Sequence, residues 1–239
     1  MDEIAVFKQW VEESNNIVFF GGAGVSTESG IKDFRSVDGL YHEKYDYPPE
    51  TMLSHSFFME NPTEFFKFHK DKILVEGIKP NITHLKLAEL EQKGKLKAIV
   101  TQTIDGLHTA AGSKEVYEIH GSAQRNYCMD CGKQFPGIRY VKDAPGIPRC
   151  DKCGGIVRPD VVLYEEALDQ RLMRKSIDAI HDADMLIVAG TSLVVYPAAG
   201  LIDYYRGNKL VLINLQATTY DARANLVIRR KIGEVFSQI

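Results

Sequence analysis

Four cysteines fall into two pairs, Cys128-x2-Cys131 and Cys150-x2-Cys153, with eighteen residues between the pairs. Two such turns facing one another supply four thiolates to one tetrahedral zinc ion. Four protein ligands leave no position for water, so the spacing predicts a structural rather than a catalytic metal. Each pair ends on a glycine (CMDCG, CDKCG), which frees backbone amides to face the sulfurs. A pair of disulfides, or cysteines that are merely buried, are the alternative readings. The N-terminal MDEIAVFKQWVEES opens with two acids and carries no long apolar core, so no secretory signal is read there, which favours metal. Arg125, Lys133, Arg139, Lys142, Arg149 and Lys152 lie nearby, but their dispersal reads as a solvated surface rather than a nucleic-acid stripe.

A second stretch with chemical content is GGAGVSTESGIKDFRS (21–36), directly after the apolar run Ile17–Phe20. A strand running into glycines turns bare amides and a helix N-terminus toward an anion, the arrangement that holds phosphate. As a dinucleotide fingerprint it reads Gly22-Ala23-Gly24-Val25-Ser26-Thr27, with Thr27 in place of the third glycine. The acid expected further on does not end a strand: Glu43 and Asp46 sit in a proline-punctuated loop. By itself the turn fits a phosphate site or a purely structural turn, and hydride transfer does not account for the polar continuation Ser29–Arg35. A third candidate is His120, which follows the apolar VYEI. Its imidazole titrates near neutrality and suits general-base work.

The elements that must position these residues show as periodicity. Ile4, Phe7, Trp10 and Val11 recur at helical spacing, and residues 64–77, 82–94, 168–183 and 197–207 also read as helices, the second of them closed by Gly94. Runs at 17–20, 95–102, 116–121, 185–192 and 209–215 read as strands. Residues 37–63 are irregular and aromatic, and 122–158 carry little periodicity. Apolar strands alternating with helices predict an α/β fold: a Rossmann-like parallel sheet with helices on both faces, plus a small inserted zinc-binding and helical domain. The 239 residues suffice for one large domain with such an appendage, and the net charge of −3 gives no pull toward nucleic acid or an anionic membrane. No apolar run is long enough to span a bilayer, and a cytoplasmic location is the expectation.

In order along the chain stand GAGVSTESGIKDFR (22–35), TQTIDGLH (101–108), IHG (119–121), the four cysteines, RPDVVLYEE (158–166), GTSLVVYPA (190–198) and INL (213–215). In that order, from about residue 17 to the C-terminus, the chain resembles the sirtuins of bacterial type, NAD-dependent protein lysine deacylases. The resemblance implies an NAD-binding domain built from 1–36, 78–121 and 159–239, and a small helical and zinc-ribbon domain from 37–77 and 122–158. NAD would lie in the cleft between them as a co-substrate. Gly22, Ala23, Gly24 and Thr27 would hold its pyrophosphate, with Asp33, Phe34 and Arg35 on a loop over the nicotinamide ribose. Gln102, Thr103, Ile104 and Asp105 would form the nicotinamide pocket. Thr191, Ser192, Asn214 and Leu215 would meet the adenosine half, with Gly190 and Ile232 as further cofactor contacts. Val161, Val162, Leu163, Tyr164 and Glu165 would lie beside an acyl-lysine protein or peptide bound by strand addition.

The same resemblance implies that the acyl oxygen attacks C1′ of the nicotinamide ribose, that His120 then deprotonates a ribose hydroxyl, and that lysine, nicotinamide and 2′-O-acyl-ADP-ribose result. His108 is the expected orienting residue, zinc a single structural ion, and the protein a monomer with no nucleic-acid partner. An ADP-ribosyltransferase or NAD hydrolase on the same scaffold is the alternative, because Thr103 stands where sirtuins carry Asn. That exchange reads either as drift with activity retained or as the loss of one buried polar partner, about one to two powers of ten in rate. Lys32 replaces the usual Pro and should loosen its loop. Glu165 replaces the usual Gly, its charge either favouring basic peptides or facing solvent. Phe66 and His69 occupy the places of the Tyr and Arg that mark succinyl- and malonyl-preferring relatives, so neutral acyl groups are expected.

Overall fold

The structure, a computed structural model, describes residues 2–34, 36, 39–40 and 47–239. Its strands are β1 (Ile17–Gly21), β2 (Leu96–Thr101), β3 (Val116–Glu118), β4 (Gly121–Cys128), β5 (Gln134–Pro136), β6 (Val157–Val161), β7 (Met185–Ala189), β8 (Leu210–Ile213) and β9 (Leu226–Ile228). Its α-helices are α1 (Glu3–Glu13), α2 (Pro49–Met52), α3 (His55–Glu60), α4 (Pro62–Phe68), α5 (Ile82–Gln92), α6 (Leu107–Ala110), α7 (Arg139–Lys142), α8 (Gln170–Asp182) and α9 (Ile232–Phe236).

Six strands form one parallel sheet in the order β3-β2-β1-β7-β8-β9. This is the Rossmann order, in which the chain leaves β1 in one direction and later returns to its other side. Strand β1 is buried along its length, and its residues alternate between two apolar layers. Ile17 and Phe19 face α1, α5 and α9, while Val18 and Phe20 face α8 and the 3-10 turn Ala198–Tyr204. A strand covered on both faces needs no polar side, which is why these runs read as unbroken hydrophobics.

Caps define the helix starts. Asp2 accepts from the Ile4 amide at the head of α1, and Asp169 accepts from Arg171 and Leu172 at the head of α8. At α5 Asn81 and His84 form a reciprocal capping box. Gly94 follows α5 at φ 73°, the left-handed closure expected of it.

A three-stranded antiparallel sheet, β5-β4-β6, carries the cysteines. It shares one apolar core with α2, α3 and α4: Phe57, Phe58, Phe65 and Phe66 pack with Phe135, Val141, Val157 and Leu163.

Several expectations are corrected. Residues 37–63 are not wholly irregular, since α2 and α3 lie within them. Residues 122–158 contain most of β4 and all of β5 and α7; their alternation is masked because β4 buries residues in no strict period. The strand expected over 116–121 stops at Glu118, leaving His120 in a turn before β4. Residues 64–77 end in a π-helical turn, His69–Ile73, and 197–207 form a 3-10 rather than an α-helix. Strand β9 was not anticipated.

Candidate active site and zinc centre

At the sheet's switch point Gly21 lies in register with Thr101 on one side and Ala189 on the other. The residues that follow, Gly22, Gln102 and Gly190, therefore emerge together at the carboxyl edge, where open α/β sheets bind ligands. The glycines serve this meeting of strand ends. A Cβ on Gly24 would stand 2.8 Å from the Gly190 Cα, and one on Gly22 would stand 2.6 Å from the Gly190 carbonyl oxygen. The amides of Gly22 and Gly24 donate to the Ala189 and Gly190 carbonyls, and that of Val25 to Gly22. Three amides expected to be bare are thus engaged within the protein. The turn continues as a 3-10 helix, Ala23–Ser29. Thr27 Oγ1 donates to the Gly24 carbonyl, and Asn81 Nδ2 fastens the turn to α5 through Val25 O and Ser29 Oγ.

Beyond it, Asp33 accepts from the Ser36 amide. Phe34 is half-buried. Arg35, and likewise Glu43 and Asp46, lie outside the described residues.

After β2 the chain forms the loop Gln102–Asp105. Asp105 accepts from Ser26 Oγ at 2.6 Å and from the Leu107 amide at 2.8 Å. Burial raises its pKa, opposed by Ser26, by the Leu107 amide and by Thr103. Ser26 had no role in the sequence reading, although it sits inside the glycine motif. Thr103 is 6% exposed; its hydroxyl lies 2.9 Å from that of Thr101, and its amide donates to the same oxygen. Thr103 thus has both its hydroxyl and its amide engaged by Thr101. Ile104 packs on the aromatic core of the small sheet.

His120 Nδ1 lies 3.1 Å from the Gln102 carbonyl oxygen. A carbonyl only accepts, so Nδ1 carries the proton and Nε2 keeps its lone pair. Burial lowers the His120 pKa, partly offset by that bond, which leaves the imidazole neutral at physiological pH. The orienting group is thus a main-chain carbonyl and not His108. His108 is buried beneath the loop, its ring 4.7 Å from that of His84 and 6.0 Å from Phe19.

On the far side of the switch point Thr191 Oγ1 donates to Gln102 Oε1 at 2.8 Å, joining the loops after β2 and β7. Asn214 binds the Thr191 main chain in both directions. Ser192 is exposed, and Leu215 is exposed although apolar. The Ile232 side chain is buried in the apolar layer that α9 forms with α1 and α5.

Strand β6 ends at Val161, and Val162 donates its amide to the His120 carbonyl at 2.9 Å. Leu163 is buried. Tyr164 bridges Ser54 in parallel register. Glu165 adopts φ 77°. Arg158, 6% exposed and missed in the sequence, holds Glu166 through both terminal nitrogens. It lies over the Phe58 and Tyr127 rings. Its cue in sequence was its place at the head of RPDVVLYEE, a basic residue among apolar ones. The bidentate pair brings the Glu166 pKa down to about 2 even against the penalty of its burial.

The four cysteines are free thiols with Sγ atoms all within 4.8 Å of one another. Cys128 and Cys153 stand 3.4 Å apart and Cys131 and Cys150 3.7 Å. A zinc ion with bonds of about 2.3 Å needs sulfurs about 3.8 Å apart, so the set fits one tetrahedral ion with no open position. Gly132 and Gly154 take φ 68° and 80° and close the two turns onto Cys128 O and Cys150 O. Arg125, Lys133, Arg139 and Lys142 are each paired with carboxylates.

Residues 22–197 match the Sir2 family. The chain is 60% identical to a Clostridium acetobutylicum protein named NAD-dependent protein deacetylase, over 100% of this chain and 98% of that one. It is 58% identical to a Clostridium perfringens protein of the same name, with the same coverage. A Sir2 structure with a deacetylated p53 peptide and 3′-O-acetyl ADP-ribose superposes with a TM-score of 0.90 at 38% identity, covering 98% of this chain and 96% of that one.

Proposed function

This chain belongs to the Sir2 family and is an NAD-dependent protein deacetylase, and from that premise we propose which of its residues bind, orient and react. NAD, consumed as a co-substrate, supplies the ribose carbon that takes the acyl oxygen as nicotinamide leaves. The observation that carries the assignment is the His120–Gln102 bond, which presents Nε2 as a neutral base at the carboxyl edge of the sheet. His120 removes a proton from a ribose hydroxyl, which then captures the acyl carbon. Asp105, held by Ser26 and the Leu107 amide, accepts the nicotinamide carboxamide. Gly22, Ala23, Gly24 and Thr27 lie against the pyrophosphate. Because the amides of Gly22 and Gly24 are engaged within the protein, contact rests on close approach and on the remaining polar groups of the turn. Gly190, Thr191, Ser192, Asn214, Leu215 and the main chain of Ile232 line the adenosine half, and Asp33, Phe34 and Arg35 cover the nicotinamide ribose.

The peptide lies along Val161–Glu165, which is tied to the His120 turn through Val162. We assign 1–36, 78–121 and 159–239 to the NAD-binding domain and 37–77 and 122–158 to the small domain, a reading supported by the core that α2–α4 share with the small sheet. Phe66 and His69 are both 1% exposed, and burial pushes the His69 pKa down to about 3. A neutral, aromatic wall there favours acetyl or longer neutral acyl groups over dicarboxylates. No described helix is long and apolar enough to cross a membrane. The paired basic residues of the zinc module support a protein rather than a nucleic-acid partner. Free, clustered thiols support a reducing compartment, which we take to be the cytoplasm, and a monomer suffices for this site. ADP-ribosyl transfer or NAD hydrolysis is not favoured, since Thr103, its motive, is satisfied by Thr101.

The test is incubation with NAD and an acetyl-lysine peptide, with products identified by mass spectrometry. O-acetyl-ADP-ribose is expected, and should vanish in His120→Ala. NAD loss without peptide, or a peptide heavier by one ADP-ribose, would overturn the assignment.

A further inference from the structure

Glu165 stands where the resemblance leads one to expect glycine, and it keeps a glycine's backbone: φ is 77°, the left-handed region that L side chains resist. A residue held there needs support from its surroundings. Both carboxylate oxygens supply it, one accepting from the Ser56 amide at 2.9 Å and the other from Ser56 Oγ at 2.9 Å. The bonded amide is the main reason the Glu165 pKa is lowered, so the carboxylate stays ionised. Around this contact the segment is fastened at each step. Tyr164 exchanges main-chain bonds with Leu53 and His55, and His55 Nδ1 lies 2.8 Å from Glu166 Oε1. At its other end the segment reaches the catalytic turn through Val162 and His120.

We propose that Glu165 is a positioning residue for the acyl-lysine peptide: its two bonds to Ser56 lock residues 161–166 onto α3, so that they present a preformed wall to the peptide. Glu165 is exposed, as one of the two sequence readings expected, yet its carboxylate is held by both Ser56 donors instead of reaching toward a basic peptide. A wall fixed before binding spares the peptide the ordering of that wall, which lowers its KM without touching the chemical step. The inference rests on the reading that the peptide lies along Val161–Glu165.

The experiment is steady-state kinetics of the full-length protein with NAD and an acetyl-lysine peptide, joined to amide hydrogen exchange over 161–166. Glu165→Gly fits the left-handed backbone and removes only the tether. It should raise the peptide KM about three- to tenfold, with kcat and the KM for NAD within about twofold of wild type. Glu165→Gln, which keeps one acceptor oxygen, should recover part of the loss. Ser56→Ala should raise the peptide KM less, and combined with Glu165→Gly should add nothing to it, since both act through one contact. An unchanged peptide KM in Glu165→Gly would sink the proposal, as would equal shifts in kcat and in the KM for NAD. Exchange separates the two levels of failure. If the peptide does not slow exchange at 161–166 in wild type, the placement of the peptide falls and the proposal with it. If it does slow exchange while the KM stays put, only the tether falls.

Discussion

The imidazole of His120 and the carbonyl of Gln102 form a single 3.1 Å bond that decides the tautomer of the ring. Gln102 also accepts from Thr191 through its side chain, so the residue that orients His120 is braced from across the switch point. The orientation of His120 and the joining of the loops after β2 and β7 are one structural fact.

A base whose pKa is depressed by burial stays unprotonated into mild acid. The acid limb of kcat for deacetylation should therefore fall below the ordinary histidine value of 6.5. Profiles taken from about pH 5 to 8 will show it; a limb above 6.5 would contradict the assignment. Thr191→Val, which releases the Gln102 side chain, should lower kcat by about tenfold, the worth of roughly one buried hydrogen bond.

On the proposed assignment Asp105 trades stability for function. A carboxyl whose folded pKa is raised contributes stability only while protonated, and that contribution is lost as pH rises through the folded pKa. Asp105→Asn keeps the shape and an acceptor for the Leu107 amide. Its Tm should exceed that of wild type by a margin that grows as pH rises from about 4 toward neutrality. Nicotinamide release should fall by about 10- to 100-fold, as expected for a lost charge-assisted bond.

Three buried histidines act in the opposite sense. Burial depresses His69 and His108 to about 3 and His84 to about 4, and the last two also face each other. Groups with lowered histidine pKa values contribute stability above about pH 6.5 that is lost as pH falls. At a pH of about 5 the His69 contribution lost is on the order of 2 kcal/mol, and the facing pair His84 and His108 adds to it. Urea unfolding should show steep acid destabilisation below about pH 6.5. His69→Phe, stacked on Phe65 like the native ring, should flatten that slope without altering the deacetylated product.

Metal analysis should return one zinc per chain. Two of its ligands, Cys128 and Cys150, are buried in the core that α2–α4 share, so chelation should unsettle those helices together with the small sheet. Loss of helical signal and of activity on chelation, both restored by zinc, is the expected outcome. Cys128→Ser with unchanged Tm and full activity would contradict a structural ion.

Much of this protein was written in short-range pattern. Paired cysteines on tight turns, unbroken apolar strands and a glycine turn ahead of a polar tail each express a local requirement: ligand geometry, two-sided burial, close backbone approach. Tertiary structure alone decided how those requirements meet. That Gly22 and Gly24 yield to Gly190 rather than bare their amides depends on the parallel order of β1 and β7. The partner of His120 is a carbonyl, which has no side-chain signature, and β4 lacks a strict alternation because its pairing with β6 shifts register between Ser122 and Asn126. The left-handed backbone of Glu165 is likewise invisible in a residue type that normally avoids it, since what sustains it is Ser56, brought beside it by the fold.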